Sequence, residues 1–278
     1  MKNKIFPCLW FDGKAKESAT FYCSVFENSS IQHDSSVVVI FELNGKKFMG
    51  LNGGPKFKMN PSVSFFVNCA SPEETEAKWK LLSEDGAVLM PLDKYPWSEK
   101  YGWCQDKFGV NWQIMSGETI GDEKIVPALM FTQNNSGKAE EAINFYISVF
   151  KNSKIIDIQR YEKGEPDIAG YIKHGRFYLQ DQLFVAMDSS KAPFPFNEAV
   201  SFVVYCENQE EIDYYWTNLI SNGGQESMCG WLKDPYGVSW QIVPSIIDSL
   251  MNHPEKGERA MQELLKMKKI DLGKLLLV

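Results

Sequence analysis

Histidine is scarce in this sequence: His33, His174 and His253 are the only three in 278 residues. A chain so poor in imidazole has few ways to build a zinc, nickel or iron site, because those ions favour imidazole or thiolate donors. Thiolate does not fill the gap. The six cysteines (Cys8, Cys23, Cys69, Cys104, Cys206, Cys229) form no CxxC pair and no zinc-ribbon spacing. In a chain of this size they read as small buried hydrophobes in a reducing compartment, so a cytoplasmic location is expected. No thiol has a histidine beside it in a recognisable motif, which argues against a cysteine nucleophile. Long apolar runs are missing too, and the opening stretch MKNKIFPCLW lacks the core of a signal peptide; no membrane partner is expected. Positive charge is in deficit, with a formal net charge of −7. The single basic run, Lys266-Met267-Lys268-Lys269, lies in a short amphipathic segment and reads as a solvated face, so no nucleic-acid partner is expected. The glycine pairs Gly53-Gly54 and Gly223-Gly224 stand outside any strand–GxGxG–helix context. That absence argues against the usual site for S-adenosylmethionine, and so against methyl transfer.

What the sequence has is itself, twice. DKFGVNWQI (106–114) returns as DPYGVSWQI (234–242), and the likeness runs well beyond these nine residues. Ile5, Pro7 and Phe11 recur as Ile125, Pro127 and Phe131. AKESATFYCSVFENSSI (15–31) recurs as AEEAINFYISVFKNSKI (139–155), and NPSVSFFVNC (60–69) as NEAVSFVVYC (197–206). Trp79 matches Trp216, and GWCQDKFGVNWQI (102–114) matches GWLKDPYGVSWQI (230–242). The offset shifts between blocks, which places insertions in surface loops. The first half has a longer excursion at 90–101, and the second has a longer hairpin region at 161–178. Two domains are expected, residues 1–117 and 118–245, joined by the polar stretch 116–124. Residues 246–278 then form a C-terminal helical extension, with Met261, Leu264 and Leu265 on one side, packing across the domains as a brace.

Periodicity supplies the elements. Ala15, Ala19, Tyr22 and Phe26 share one face of a helix over 14–27, as do Ala139, Ile143, Tyr146 and Phe150 in the copy. A second helix is expected over 72–85, with Ser71 as N-cap and Pro72 in the first turn. Val63, Phe65, Val67 and Cys69 alternate as a strand does, and Asn44-Gly45 marks a hairpin. Each half therefore reads βαβββ twice, four modules in all, in the α+β class.

Paired βαβββ modules closing on D-x-x-G-x-x-W-x-I resemble the vicinal oxygen chelate superfamily, which includes glyoxalase I, bleomycin-resistance proteins and extradiol dioxygenases. FPCLWFDGKAKESATFYCSVFENSSI, FELNGKKFMGLNGGPKF and GWLKDPYGVSWQIVP are similar to its PhnB-like branch, often labelled 3-demethylubiquinone-9 3-methyltransferase. The resemblance implies two glyoxalase-like domains with cupped mixed sheets, each domain curling eight strands into a cup. It also implies four inward metal ligands per cup in the metal-dependent members. Carried over, those positions fall on Ile5, Met49, Ser62 and Gln113 in the first half. In the second they fall on Ile125, Val185, Ala199 and Gln241. One amide per set cannot hold a divalent ion. No metal and no cofactor are expected.

Gln113 and Gln241 should face opposite to their neighbours Trp112 and Trp240. If the tryptophans lie under the helices, the glutamines face the cups, either as core amides paired across the sheet or as contacts for a ligand. Trp103 and Trp231, also matched, are either aromatic walls for a planar ligand or core. Trp97, with Tyr95 and Pro96 in the 91–99 loop, is placed to act as a lid over the first cup. His33 and His174 fall where the repeat has no counterpart (His174 aligns with Val38) and read as surface or edge residues. The expected function is metal-independent binding of a small organic molecule. A metal-dependent lyase, isomerase or dioxygenase is the alternative, and cups filled by their own side chains are a third. Duplication lets domains pair within one chain, which gives a monomer, with a homodimer as the other arrangement.

Overall fold

Helix α1 (Ala15–Val25) forms where the apolar spacing places it and buries Ala15, Ala19 and Tyr22; its copy α3 (Ala139–Val149) buries Ala139, Ile143 and Tyr146. Neither helix is capped by its own flanking residue, since Lys14 and Lys138 offer no side-chain acceptor. The cap comes from a distant strand instead. Ala15 N–H donates to Asn52 Oδ1 at 2.9 Å, while Gly137 and Ala139 N–H donate to Asp188 Oδ1 at 2.8 and 3.1 Å. Amides that a helix start leaves open are thereby satisfied by tertiary structure. Helix α2 (Pro72–Ser83) follows its local signal, with Glu74 N–H donating to Ser71 Oγ at 3.2 Å.

The structure is a computed structural model that describes residues 4–117 and 123–277; most of the expected linker at 116–124 lies outside them. The first module runs β1 (Ile5–Phe11), α1, β2 (Ser30–Asp34), β3 (Val38–Leu43) and β4 (Lys46–Asn52). The second runs β5 (Val63–Asn68), α2, β6 (Ala87–Tyr95), β7 (Ser98–Gln105) and β8 (Asn111–Ser116). The third holds β9 (Ile125–Thr132), α3, β10 (Lys154–Arg160), β11 (Ile172–Leu179) and β12 (Gln182–Ser189). The fourth holds β13 (Val200–Cys206), α4 (Gln209–Leu219), β14 (Gln225–Glu226), β15 (Trp231–Lys233) and β16 (Ser239–Pro244). Asn44 and Gly45 both take positive φ in the two-residue turn between β3 and β4, as an Asn-Gly hairpin requires. The 90–101 excursion is not a loop. It is a long β6–β7 hairpin turning at Pro96-Trp97, with Tyr95 paired to Ser98.

The four modules make two eight-stranded mixed sheets, but each sheet does not follow one half of the sequence. One sheet has the neighbour order β10-β11-β12-β9-β5-β8-β7-β6, and the other β14-β15-β16-β13-β1-β4-β3-β2. In the first of these, β5 pairs antiparallel with β9, Phe66 opposite Val126, so a module from each half shares the sheet. This corrects the expectation that each half closes a cup of its own. The repeat is visible in the seams: Met130 N–H donates to Ser62 O at 2.8 Å, and its counterpart Trp10 N–H donates to Ala199 O at 2.9 Å. Asn60 Nδ2 reaches Pro195 O at 3.0 Å, and Asn197 Nδ2 reaches Lys58 O at 2.9 Å.

By contacts the chain divides into two units, at Phe6/Pro7 and at Val200/Ser201. The unit Pro7–Val200 contains the whole β5–β12 sheet. Its helix-facing core gathers Tyr22, Phe26, Phe41, Phe48 and Phe65 with Trp112, whose ring lies 5.4 Å from Tyr22 and 5.5 Å from Phe65. In the other unit, residues after β16 form three short helices rather than one: α5 (Ile247–Met251), α6 (Gly257–Leu264) and α7 (Leu272–Leu276). Helix α6 buries Ala260 and Leu264, while Leu265 is 59% exposed, so Leu265 does not share the buried side expected of it. The tail is fixed to the fourth module: Cys229 and Gly230 N–H donate to Met267 and Lys268 O, and Gln209 bonds Ile270 O and Leu272 N–H. Among the described residues no helix is long and apolar enough to cross a membrane.

The twin motif explains itself as a clamp. Gly109 and Gly237 turn the chain at φ +93° and +87°. Asp106 then accepts Phe108 and Val110 N–H on Oδ1, and Trp112 Nε1 (2.7 Å) with Tyr22 OH (2.8 Å) on Oδ2. Asp234 holds Tyr236 and Val238 N–H and Trp240 Nε1 in the same way. The aspartate, glycine and tryptophan are there to fold the closing turn. The glutamine after the tryptophan is turned the other way.

Candidate functional site on the concave sheet face

With Trp112 held against α1, strand alternation points Gln113 at the opposite, concave face of the β5–β12 sheet. That face is an apolar floor of Phe66, Tyr101, Met115, Val126, Ala128 and Leu183, with Val185 beside them. Met90, Tyr95, Trp103, Tyr178 and Met187 pack against the floor and keep part of their surface exposed. The face is strongly curled. Strands β11 and β5 stand three places apart, about 14 Å in a flat sheet, yet the rings of His174 and Phe66 are 5.9 Å apart, edge to face.

Gln113 is buried and bonded at both ends of its amide. Its Oε1 accepts from Tyr101 OH at 2.6 Å, and its Nε2 donates to Ser64 Oγ at 2.8 Å. Burial lifts the Tyr101 phenol far above its ordinary range, which keeps it a donor. Gln241 repeats half of this arrangement, with Nε2 donating to Ser201 Oγ at 2.9 Å. Ser64 and Ser201 occupy matched places in the repeat, and that match was a signal in the sequence for the pairing. Tyr101 has no such copy, because Cys229 stands in its place.

Trp103 lies directly opposite Gln113 in the β7–β8 register, and Trp231 opposite Gln241. Each tryptophan thus shares a face with its glutamine, and the two pairs lie in different sheets. Trp103 Nε1 is buried and has no hydrogen-bond partner among the described residues. Trp97, 45% exposed at the hairpin tip, stacks on Tyr95 at 5.0 Å and meets the edge of Tyr101 at 5.8 Å. Through Tyr101, the hairpin tip is joined to Gln113.

His174 is where sequence reasoning failed. Neither surface nor edge, it projects onto the concave face beside Phe66, on the same side of β11 as Arg176 and Tyr178. Burial, and then the Arg176 charge, push its pKa down to about 4, so the imidazole is neutral at neutral pH. Arg176 is paired with Asp157, its Nε lying 2.9 and 3.1 Å from the two carboxylate oxygens, and this pairing holds the Asp157 carboxyl below its ordinary value. The repeat could not flag a site drawn from non-equivalent modules. The only sequence trace is that His174 and Arg176 alternate in one strand.

The positions carried over as metal ligands are scattered by this geometry. Val185 and Gln113 do share the concave face, but with Val126 rather than Ile125, and Gln113 bonds Ser64 rather than Ser62. One hydroxyl and one amide already bonded to each other do not fit a divalent ion. Among the described residues no three His, Cys, Asp or Glu side chains converge. Elsewhere in the unit a groove of about 680 Å³ opens beside Trp10, Phe57 and Phe108. Its buried carboxylate, Asp106, is already occupied by the fold.

Mixed βαβββ modules sharing curled sheets define the vicinal oxygen chelate fold. Glyoxalase I from Zea mays matches with a TM-score of 0.57 at 9% identity, covering 86% of this chain and 91% of its own. A mutant of that enzyme covers 94% and 97% at 11% identity and the same TM-score. A family model described as 3-demethylubiquinone-9 3-methyltransferase matches residues 3–115 and 123–243, and the chain belongs to that family. A PhnB protein from Bacillus cereus is 36% identical over 40% of this chain and 98% of its own, with a TM-score of 0.38. None of the curated proteins matches the chain.

Proposed function

We propose that the protein binds a small organic molecule on the concave face of the β5–β12 sheet, without a metal ion. The observation that carries this reading is Trp103 Nε1: a buried donor with no partner among the described residues, set in an aromatic and apolar wall. A buried N–H left unpaired costs about 1–3 kcal/mol, a cost that a ligand oxygen at that point would offset. The concave, largely apolar surface with few polar groups is what small-molecule sites share. Independence from metal is supported by the engaged state of Gln113, whose oxygen is held by Tyr101. The six free thiols fit a reducing, cytoplasmic setting. Methyl transfer is what the family's description names. It is not adopted for this chain, which has no glycine-rich turn to hold the usual donor.

Thermal melts against a panel of small aromatic compounds, before and after dialysis into a chelator, test the proposal. Tm should rise with a subset of compounds, unchanged by the chelator, and the rise should shrink in Trp103→Phe. Shifts that vanish with the chelator, or a panel without any shift, would refute it.

A further inference from the structure

Among the described residues, Trp103 Nε1 and the His174 ring stand without a hydrogen bond on opposite walls of the concave face. Trp103 Nε1 is on β7, two strands to one side of Phe66, and it can only donate. His174 is on β11, three strands to the other side, and its ring makes an edge contact with Phe66 but no hydrogen bond with a described residue. Gln113, between them, is committed to Tyr101 and Ser64. Arg176 has its charge met by Asp157, and Lys154, exposed on the edge strand β10, lies 5.7 Å from the centre of the Tyr178 ring.

From this geometry, and resting on the binding role proposed above, we infer that the ligand is a small, uncharged, planar molecule that offers a hydroxyl or N–H to His174 and a carbonyl-type oxygen to Trp103 Nε1. A neutral imidazole carries one accepting nitrogen beside one N–H, whereas an imidazolium could only donate, so the neutral ring can take a hydrogen bond from a ligand hydroxyl or N–H. The depressed basicity of His174 supports that protonation state. A carboxylate or phosphate would enter an apolar floor beside which Arg176 is already neutralised and Lys154 stands exposed on the edge strand β10, and a buried charge without a partner is strongly disfavoured. Planarity follows from the rings that bound the face, Phe66, Tyr101, Trp103 and Tyr178, against which a flat molecule packs with the largest contact. His174 is thus a specificity residue that breaks the symmetry of the repeat, since Val38 holds the matched place.

Three probes of one shape separate the possibilities: 4-hydroxyacetophenone, 4-methoxyacetophenone and 4-acetylbenzoate, each titrated at pH 7 into ¹⁵N-labelled full-length protein. The chain has eight tryptophans and three histidines, so the Trp103 indole and His174 ring signals can be assigned by substitution. The hydroxy compound should move both signals and bind at least about tenfold more tightly than the other two. His174→Phe should erase the preference for hydroxy over methoxy while the Trp103 signal still responds. His174→Gln, which keeps an acceptor, should retain part of the preference and guards against misfolding of the first variant. Equal binding of all three probes, preference for the carboxylate, or a preference that survives His174→Phe would overturn the role of His174 and leave the cup as a binding site. No response of the Trp103 signal to any probe would overturn both readings.

Discussion

Replacing Asp106 tests the claim that the repeated motif is a folding clamp. In Asp106→Ala four donors lose their acceptor at once: Tyr22 OH, Trp112 Nε1 and the N–H groups of Phe108 and Val110. The two amides sit in a turn where water can take over in part. Tyr22 and Trp112 are fully buried, and water cannot reach them. At about 1–3 kcal/mol for each stranded buried donor, the loss is about 3–5 kcal/mol. That is a large share of the roughly 5–15 kcal/mol that holds a native protein together. Asp106→Asn is more revealing. Its oxygen can still take the two amides, and the tyrosine hydroxyl can rotate to accept from the new NH₂. The indole N–H can only donate, so it alone is stranded, at about 1–3 kcal/mol. Adding Trp112→Phe removes that stranded group, so Asp106→Asn should cost less in the Trp112→Phe background than in the native one. Urea unfolding of the four proteins, read as midpoint and slope, gives the coupling. An Asp106→Ala loss below about 1 kcal/mol, or strict additivity in the cycle, would refute the clamp.

Three further outcomes are expected. His174 has a folded pKa of about 4 against an ordinary 6.5, so the native state holds fewer protons between those values. Stability should therefore fall as pH drops from about 6.5 to 4, by about 2–3 kcal/mol, with Arg176 adding to the effect and Asp157 opposing it. Denaturant midpoints of His174→Phe should lack that fall. Gln113→Leu strands the buried Tyr101 hydroxyl and should cost about 2 kcal/mol, whereas Tyr101→Phe, which removes a donor, should cost about 1 kcal/mol; equal losses in thermal melts would count against the network. Asp188→Ala removes the acceptor of three backbone amides, at Gly137, Ala139 and Ile172. It should cost about 2–3 kcal/mol and speed hydrogen exchange in the first turn of α3, while leaving α2, capped by Ser71, unchanged.

Much of this protein is written locally. Helices α1 to α4, the Asn44-Gly45 hairpin and the Ser71 cap follow from periodicity and turn chemistry, because each depends on residues within one or two turns of chain. The opposite facing of Trp112 and Gln113 was legible for the same reason: alternation along a strand is fixed by the backbone. The broken C-terminal helix was not legible, since tertiary bonds to Gly230 and Gln209, rather than the apolar spacing, set its course. Neither were the remote caps, Asn52 and Asp188, which serve helices they do not adjoin in sequence.

The sequence alone determined that there are four modules and what each is made of, since duplication preserves local pattern. It did not determine which modules would share a sheet. Any two βαβββ units present similar strand edges, and only the pairing of β5 with β9 decides that Gln113 and His174 face the same hollow. The candidate site is a product of that choice. Its floor takes Phe66, Tyr101 and Met115 from one half of the chain and Val126, Ala128 and Leu183 from the other, and no spacing within either half encodes the distance between them.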